Sequence, residues 1–168
     1  MTLYGRVTVT VWRDDLGRPV ELDGPGRRVV SLVPSLTEAL AVAAPGRLVG
    51  ATDWCTHPPG RPGGDPGPGH QESRTGQDRR PGADLVIANR EENRKLDVAR
   101  LRETGLAVWV TVIESVPGAL ASLRRLLTGP LGLDTPGWLA AAERAWAGAR
   151  APALVRPARA PGRGAGLA

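Results

Sequence analysis

Apolar residues in this chain fall into two kinds of run: short, dense and β-branched, or spaced at a helical period. Val29 to Val33 (VVSLV) is a compact apolar run, as a strand buried on both faces should be. Pro34 closes it. Ser35-Leu36-Thr37-Glu38 has the form of a capping box, with the Ser35 hydroxyl accepting from the Glu38 N–H and the Glu38 carboxylate reaching back. Leu36, Leu40 and Ala43 then repeat at helical spacing until Pro45-Gly46 stops the helix. Leu48 to Ala51 reads as the next strand, and Asp84 to Ala88 (DLVIA) as another. A polar turn, Asn89 to Asn93, leads into a helix carrying Leu96, Val98 and Leu101 and closed by Gly105. Ala107 to Ile113 is again strand-like. Ser115 can cap a following helix with Pro117 in its first turn and a stripe of Val116, Leu120, Leu123 and Leu127. After a break from Gly129 to Asp134, Thr135-Pro136 opens a last helix, with Trp138, Leu139, Ala142 and Trp146 as candidate buried positions. Trp109 and Trp138 are assigned to the core.

Ahead of this series, Val7 to Trp12 alternates apolar and polar residues. Asp14-Asp15-Leu16-Gly17 supplies turn chemistry, and Pro19 to Leu22 can return as a second strand. The whole order is a hairpin, then β-α-β, then β-α-β-α. It predicts an α/β fold: a small, Rossmann-like parallel sheet with flanking helices and an N-terminal β-hairpin. Two stretches break the pattern. Gly60 to Ala83 has no aliphatic residue except Ala83, so it cannot bury enough surface to offset its ordering entropy. From Ala151 to Ala168, prolines and glycines are too frequent for any element, and a disordered tail is expected. Residues 1–150 are thus one lobe interrupted at 60–83, with 151–168 as its tail.

Charge changes the picture little. The net charge is +5, but Arg150, Arg156, Arg159 and Arg163 stand in a tail without acids, and removing those four leaves +1. No aromatic residues interleave with the tail arginines as in single-strand binders, so nucleic acid is not an expected partner. The single cysteine, Cys55, excludes an internal disulfide. No apolar run reaches the length of a membrane span. No Gly-x-Gly-x-x-Gly and no Walker loop supports a nucleotide enzyme.

The candidate chemistry gathers where open α/β sheets bind ligands, beyond the carboxyl ends of the strands. Asp53-Trp54-Cys55 follows one strand there and Asn89 to Asn93 follows another. Trp54 offers either a flat face for a large ring or a simple cap on the sheet. Cys55 and His57 lack further partners for a tetrahedral metal site, leaving His57 a weak candidate for an axial nitrogen. As a nucleophile–base pair they define a second reading, a small α/β enzyme. Asn89, Arg90, Glu91, Glu92 and Asn93 can meet polar ligand groups, or Asn93 can cap the next helix with the acids favoured by its dipole. A third reading is a standalone interaction module with a basic tail.

Four segments, RVVSLVPSLTEAL, RLVGATDWCTHP, DLVIANREENRK and GLAVWVTVIESVPGALASLRRL, occur in an order that resembles the N-terminal lobe of cobalamin-binding proteins of ABC importers. These belong to the helical-backbone metal receptors, which also bind ferric siderophores and haem. The resemblance implies a non-catalytic, monomeric substrate-binding component that captures cobalamin or a related chelate as transported ligand, with no catalytic cofactor, and delivers it to an ABC permease. It implies that Trp54 packs on the corrin and that Asn89 to Asn93 face its polar side groups. It further implies two lobes joined by a long helix, of which Thr135 to Arg150 resembles the start, so that this chain is expected to be truncated and compromised, with cobalamin binding weak or absent for want of the opposing wall and docking on the permease in doubt. Family members work outside the cytoplasmic membrane. The sequence as written has neither signal peptide nor lipobox cysteine and would be cytoplasmic. In the family the loop after the second strand carries a Gly-Thr-Lys-Asn-Pro type motif. Here Gly69-His70-Gln71-Glu72-Ser73 would yield that motif if its codons were read one nucleotide later, so about Gly60 to Gly82 is expected to be frameshifted, a point the gene sequence decides.

Overall fold

The computed structural model describes residues 9–59 and 82–149. Most of the abnormal segment from Gly60, with the frameshift expectation attached to it, and the tail from Ala151 lie outside the described residues. The chain opens with an antiparallel hairpin, β1 (Val9–Arg13) and β2 (Pro19–Asp23), paired from Val9↔Asp23 to Arg13↔Pro19. The Asp14 carboxylate shapes its turn by accepting from the Leu16 and Arg18 N–H groups at 3.0 and 2.8 Å. Gly17 takes the positive φ of 74° that the turn requires.

The second sheet has four parallel strands: β3 (Val29–Ser31), β4 (Leu48–Ala51), β5 (Leu85–Asn89) and β6 (Ala107–Thr111), in the order β4-β3-β5-β6. Helix α1 (Pro34–Ala43) links β3 to β4, and α2 (Lys95–Glu103) links β5 to β6; α3 (Val116–Thr128) and α4 (Gly137–Gly148) follow. No helix among the described residues is long and apolar enough to cross a membrane.

Alternation along the strands sorts the core into two layers. Val29, Leu85, Ile87 and Trp109 pack with Leu36 and Leu40 of α1, Leu126 and Leu127 of α3, Leu139 of α4, and Val20 and Leu22 of the hairpin. Val86, Ala88, Val108 and Val110 pack on the other face with Val98 of α2. Helices α1 and α2 therefore leave the neighbouring strands β3 and β5 toward opposite faces, and β3/β5 is the switch point of the sheet.

Several sequence expectations change in detail. The capping box is not formed: the N-cap of α1 is Val33, without a side-chain cap bond, and Pro34 is the first helical residue. Proline's fixed φ and missing N–H suit that position, which moves Ser35 inside the helix. Asn93 does not cap α2; Arg94 stands there. Leu96, Val116 and Trp146 are exposed at 71%, 50% and 47%, while Leu126, outside the expected stripe, is fully buried. The Ser115 cap is present, its hydroxyl accepting from Gly118 N–H at 3.1 Å, and Gly105 follows the C-cap of α2 with φ 80°.

Helix α4 is tied to α3 by the two-pronged Arg124–Glu143 pair, one arm of which, Nε to Oε1, spans 2.8 Å. That hydrogen bond holds the Glu143 carboxyl below the usual carboxylate range. The break after α3 has a steric reason: a Cβ on Gly129 would stand 2.6 Å from the Arg125 carbonyl oxygen and 3.2 Å from Cδ1 of Trp12. Gly129→Ala should therefore lower stability by about 1–3 kcal/mol in urea denaturation, because the near neighbour is backbone and cannot swing aside.

Candidate functional site

Parallel pairing fixes which loops share a rim. Ser31 pairs with both Ala51 and Ile87, and Asn89 with Thr111, so all four strands end on the same side of the sheet. The loops after β4, β5 and β6 and the N-terminus of α1 meet on that side. Three strand spacings separate the β4 loop from the β6 loop, about 14 Å. The chain diverges at the β3/β5 switch point to open the crevice expected of such folds.

Trp54 stands at the β4 end of this rim, 74% exposed. A tryptophan serving as a cap on the sheet would bury its ring; this one presents it to solvent. Its position comes from its neighbour. Cys55 is fully buried, with Sγ 3.1 Å from the Thr37 hydroxyl of α1 and 3.2 Å from that of Thr52, and its N–H donates to Thr52 O at 2.9 Å. The thiol tethers the loop to α1 and is not a group open to a ligand. His57 is exposed, with Nδ1 3.2 Å from the Thr56 hydroxyl. The hydrogen bonds of Cys55 and His57 thus go to threonines rather than to each other. Among the described residues no group of three or more His, Cys, Asp or Glu side chains is placed to hold a metal ion.

The β5 loop is built by its own amides. Asn89, 4% exposed, donates from Nδ2 to the Thr111 hydroxyl at 3.1 Å and accepts at Oδ1 from Glu91 N–H at 2.8 Å. Asn93 accepts at Oδ1 from Asn89 N–H at 2.8 Å and donates from Nδ2 to Leu32 O at 3.4 Å. The second of these bonds ties the β5 loop to the chain leaving β3. Both asparagines spend their amides inside the protein. What reaches solvent is Arg90, Glu91 and Glu92. Arg90 donates from Nε to Glu91 at 2.7 Å and from Nη2 to Glu114 at 2.5 Å, while its N–H donates to Thr111 O at 2.9 Å. Glu114 first, then Glu91, hold the Arg90 guanidinium above the ordinary arginine range.

Glu114 was not among the residues singled out from sequence. The signal was present: it follows an apolar strand and precedes the Ser115 cap, so the rule that selected Asn89–Asn93 selects it too. The rim therefore carries an exposed aromatic face at one end and a clamped arginine flanked by carboxylates at the other. Such a surface can hold a broad, flat molecule with polar edges; among the described residues Cys55 and His57 are not paired as nucleophile and base.

No protein-family model matches the chain, and neither does any curated protein. Solved structures do. A periplasmic solute-binding protein of Veillonella parvula superposes with TM-score 0.61 at 13% identity, over 83% of this chain and 45% of its own. The haem-binding protein HmuT superposes with TM-score 0.57 at 16% identity, over 83% of this chain and 46% of its own. The periplasmic vitamin B12-binding protein BtuF of Vibrio cholerae gives TM-score 0.48 at 23% identity, over 63% and 43%. The chain spans less than half the length of these proteins. The first two superpositions establish that it shares the fold of one part of periplasmic binding proteins.

Proposed function

We propose that this chain supplies one wall of a non-catalytic binding site for a metal chelate with a broad flat ring, a corrinoid or haem, as the substrate-binding component of an ABC importer. The observation that carries the reading is the exposed indole of Trp54, held out from the sheet by the buried Cys55 tether on the same rim as the Arg90 loop. The four ordered sequence segments that resemble cobalamin-binding proteins, and the fold shared with a haem-binding protein, support it. Capture with release suits the chemistry on this rim: an aromatic plate and polar edges bind a ring without altering it. Delivery to the permease of the importer follows from that role.

Equilibrium dialysis of cyanocobalamin against the 168-residue chain tests the reading. Stacking on a single aromatic is worth about 1–3 kcal/mol, so Trp54→Ala should weaken retention about 5- to 150-fold. Because Trp54 is exposed, the substitution leaves the unfolding midpoint within about 0.5 kcal/mol of the parent. Retention that Trp54→Ala leaves unchanged, or no retention at millimolar corrinoid, overturns the proposal.

A further inference from the structure

Arginine on a binding rim ordinarily recognises carboxylates, since its fork matches them in two-pronged geometry. Arg90 is not free to do so. Its Nε and Nη2 are engaged by Glu91 and Glu114, drawn from the loops after β5 and β6. Glu92 is exposed beside them and Asp53 adjoins Trp54. Among the described residues of the β5 and β6 loops the other bases, Arg94 and Lys95, stand at the start of α2. A ligand carboxylate that takes the same Nε/Nη2 edge of Arg90 must displace a glutamate and then lie against it. A ligand amide meets no such repulsion: it can donate to Glu91, Glu92 or Glu114 and needs no cation.

Building on the receptor reading above, we infer that the Glu91–Arg90–Glu114 clamp is a specificity filter that admits chelates with amide edges and rejects those with carboxylate edges. The filter works by repulsion as much as by attraction, which is how close analogues of equal shape are told apart. It favours corrinoids with intact side-chain amides over haem, with its two propionates, and over acidic corrinoid precursors. Arg90 has a positioning role in it. It neutralises part of the charge of two glutamates and fixes them, and its own N–H on Thr111 O anchors the clamp to β6.

Two corrinoids with one ring separate charge from shape. Dicyanocobinamide carries neutral amides; dicyanocobyrinic acid carries carboxylates in their place. Dialysis of each against the full chain at low salt should give retention about tenfold weaker for the acid, the order expected of a few like-charge contacts at an exposed rim. The double variant Glu91→Gln/Glu114→Gln frees Arg90 and should bring the ratio to about threefold or less. Raising sodium chloride to about 0.5 M should narrow the ratio in the parent as well, since the Debye length falls well below 10 Å. Circular dichroism of the variant should match the parent, since both glutamates are exposed. Trp54-dependent retention of both corrinoids with no difference between them, or a difference that the double variant and salt leave intact, overturns the filter while the receptor reading stands. No retention of either corrinoid overturns both.

Discussion

Asp15→Ala is expected to lower stability by about 3 kcal/mol, a large part of the 5–15 kcal/mol available to a domain of this size. The carboxylate is 3% exposed and serves four donors: the Ser122 hydroxyl at 2.5 Å, Val112 N–H at 3.0 Å, and Arg125 through Nη2 at 2.7 Å and Nε at 3.3 Å. Its own N–H donates to Val110 O at 3.1 Å. Removing the carboxylate strands a fully buried hydroxyl and a backbone N–H, at about 1–3 kcal/mol each before relaxation. Arg125, half exposed, rehydrates and adds little. The adjacent Asp14 completes the device: its Oδ2 takes Arg102 of α2 at 2.9 Å. Two consecutive aspartates thus grip helices on opposite faces of the sheet and cover the edge strand β6, which would otherwise offer open backbone groups. Asp15→Asn keeps one oxygen to accept from both Val112 and Ser122, which share Oδ2, but turns its NH2 toward Arg125, and should cost about 1–2 kcal/mol. Urea midpoints at constant m-value measure both; a loss below about 1 kcal/mol for Asp15→Ala would show that the turn does not hold the hairpin to the sheet.

This turn marks where sequence reading stops. The Asp14-Asp15-Leu16-Gly17 segment announces a reversal through local chemistry, and the hairpin forms there with Pro19 opening the second strand as expected. Nothing local says that each carboxylate is answered by an arginine some 90 to 110 positions away, because that pairing exists only once β6 and both helices are assembled. The parallel sheet was legible for the opposite reason. Dense runs such as Leu85–Ala88 can be buried only on both faces, and the breaks at Pro45-Gly46 and Gly105 are carried by a few residues of backbone chemistry. Helix starts were less so: Ser35 and Asn93 look like caps, but proline geometry in one case and a competing bond to Asn89 in the other moved the start by one or two residues. That the loops after β4 and β5 share a rim was legible from where the strands end. Which side chains face out was not readable, since Cys55 and Asn89 are turned inward by Thr37 and Thr111 contributed from elsewhere.

Trp109→Ala is expected to cost about 3–5 kcal/mol, the range for deleting a buried indole. Trp109 is 2% exposed and lies on the face of β6 toward α1, α3 and α4, so its loss leaves a cavity where sheet and helices meet. Trp109→Phe separates two opposing effects. Phenylalanine leaves a smaller void, and it also removes an Nε1–H that is buried without a hydrogen-bond partner among the described residues. An orphaned donor of that kind costs about 1–3 kcal/mol, enough to offset most of the lost packing. The Phe variant should therefore fall within about 1 kcal/mol of the parent. A Phe variant as unstable as the Ala variant would mean that the N–H is satisfied and that the indole's full volume is needed. The same strand anchors the proposed clamp: Thr111, two residues on, receives Arg90 N–H and the Asn89 amide. Loosening β6 at Trp109 should thus blunt the choice between amide-edged and acid-edged corrinoids at temperatures where the chain is still folded, because the clamp is only as fixed as the strand end beneath it.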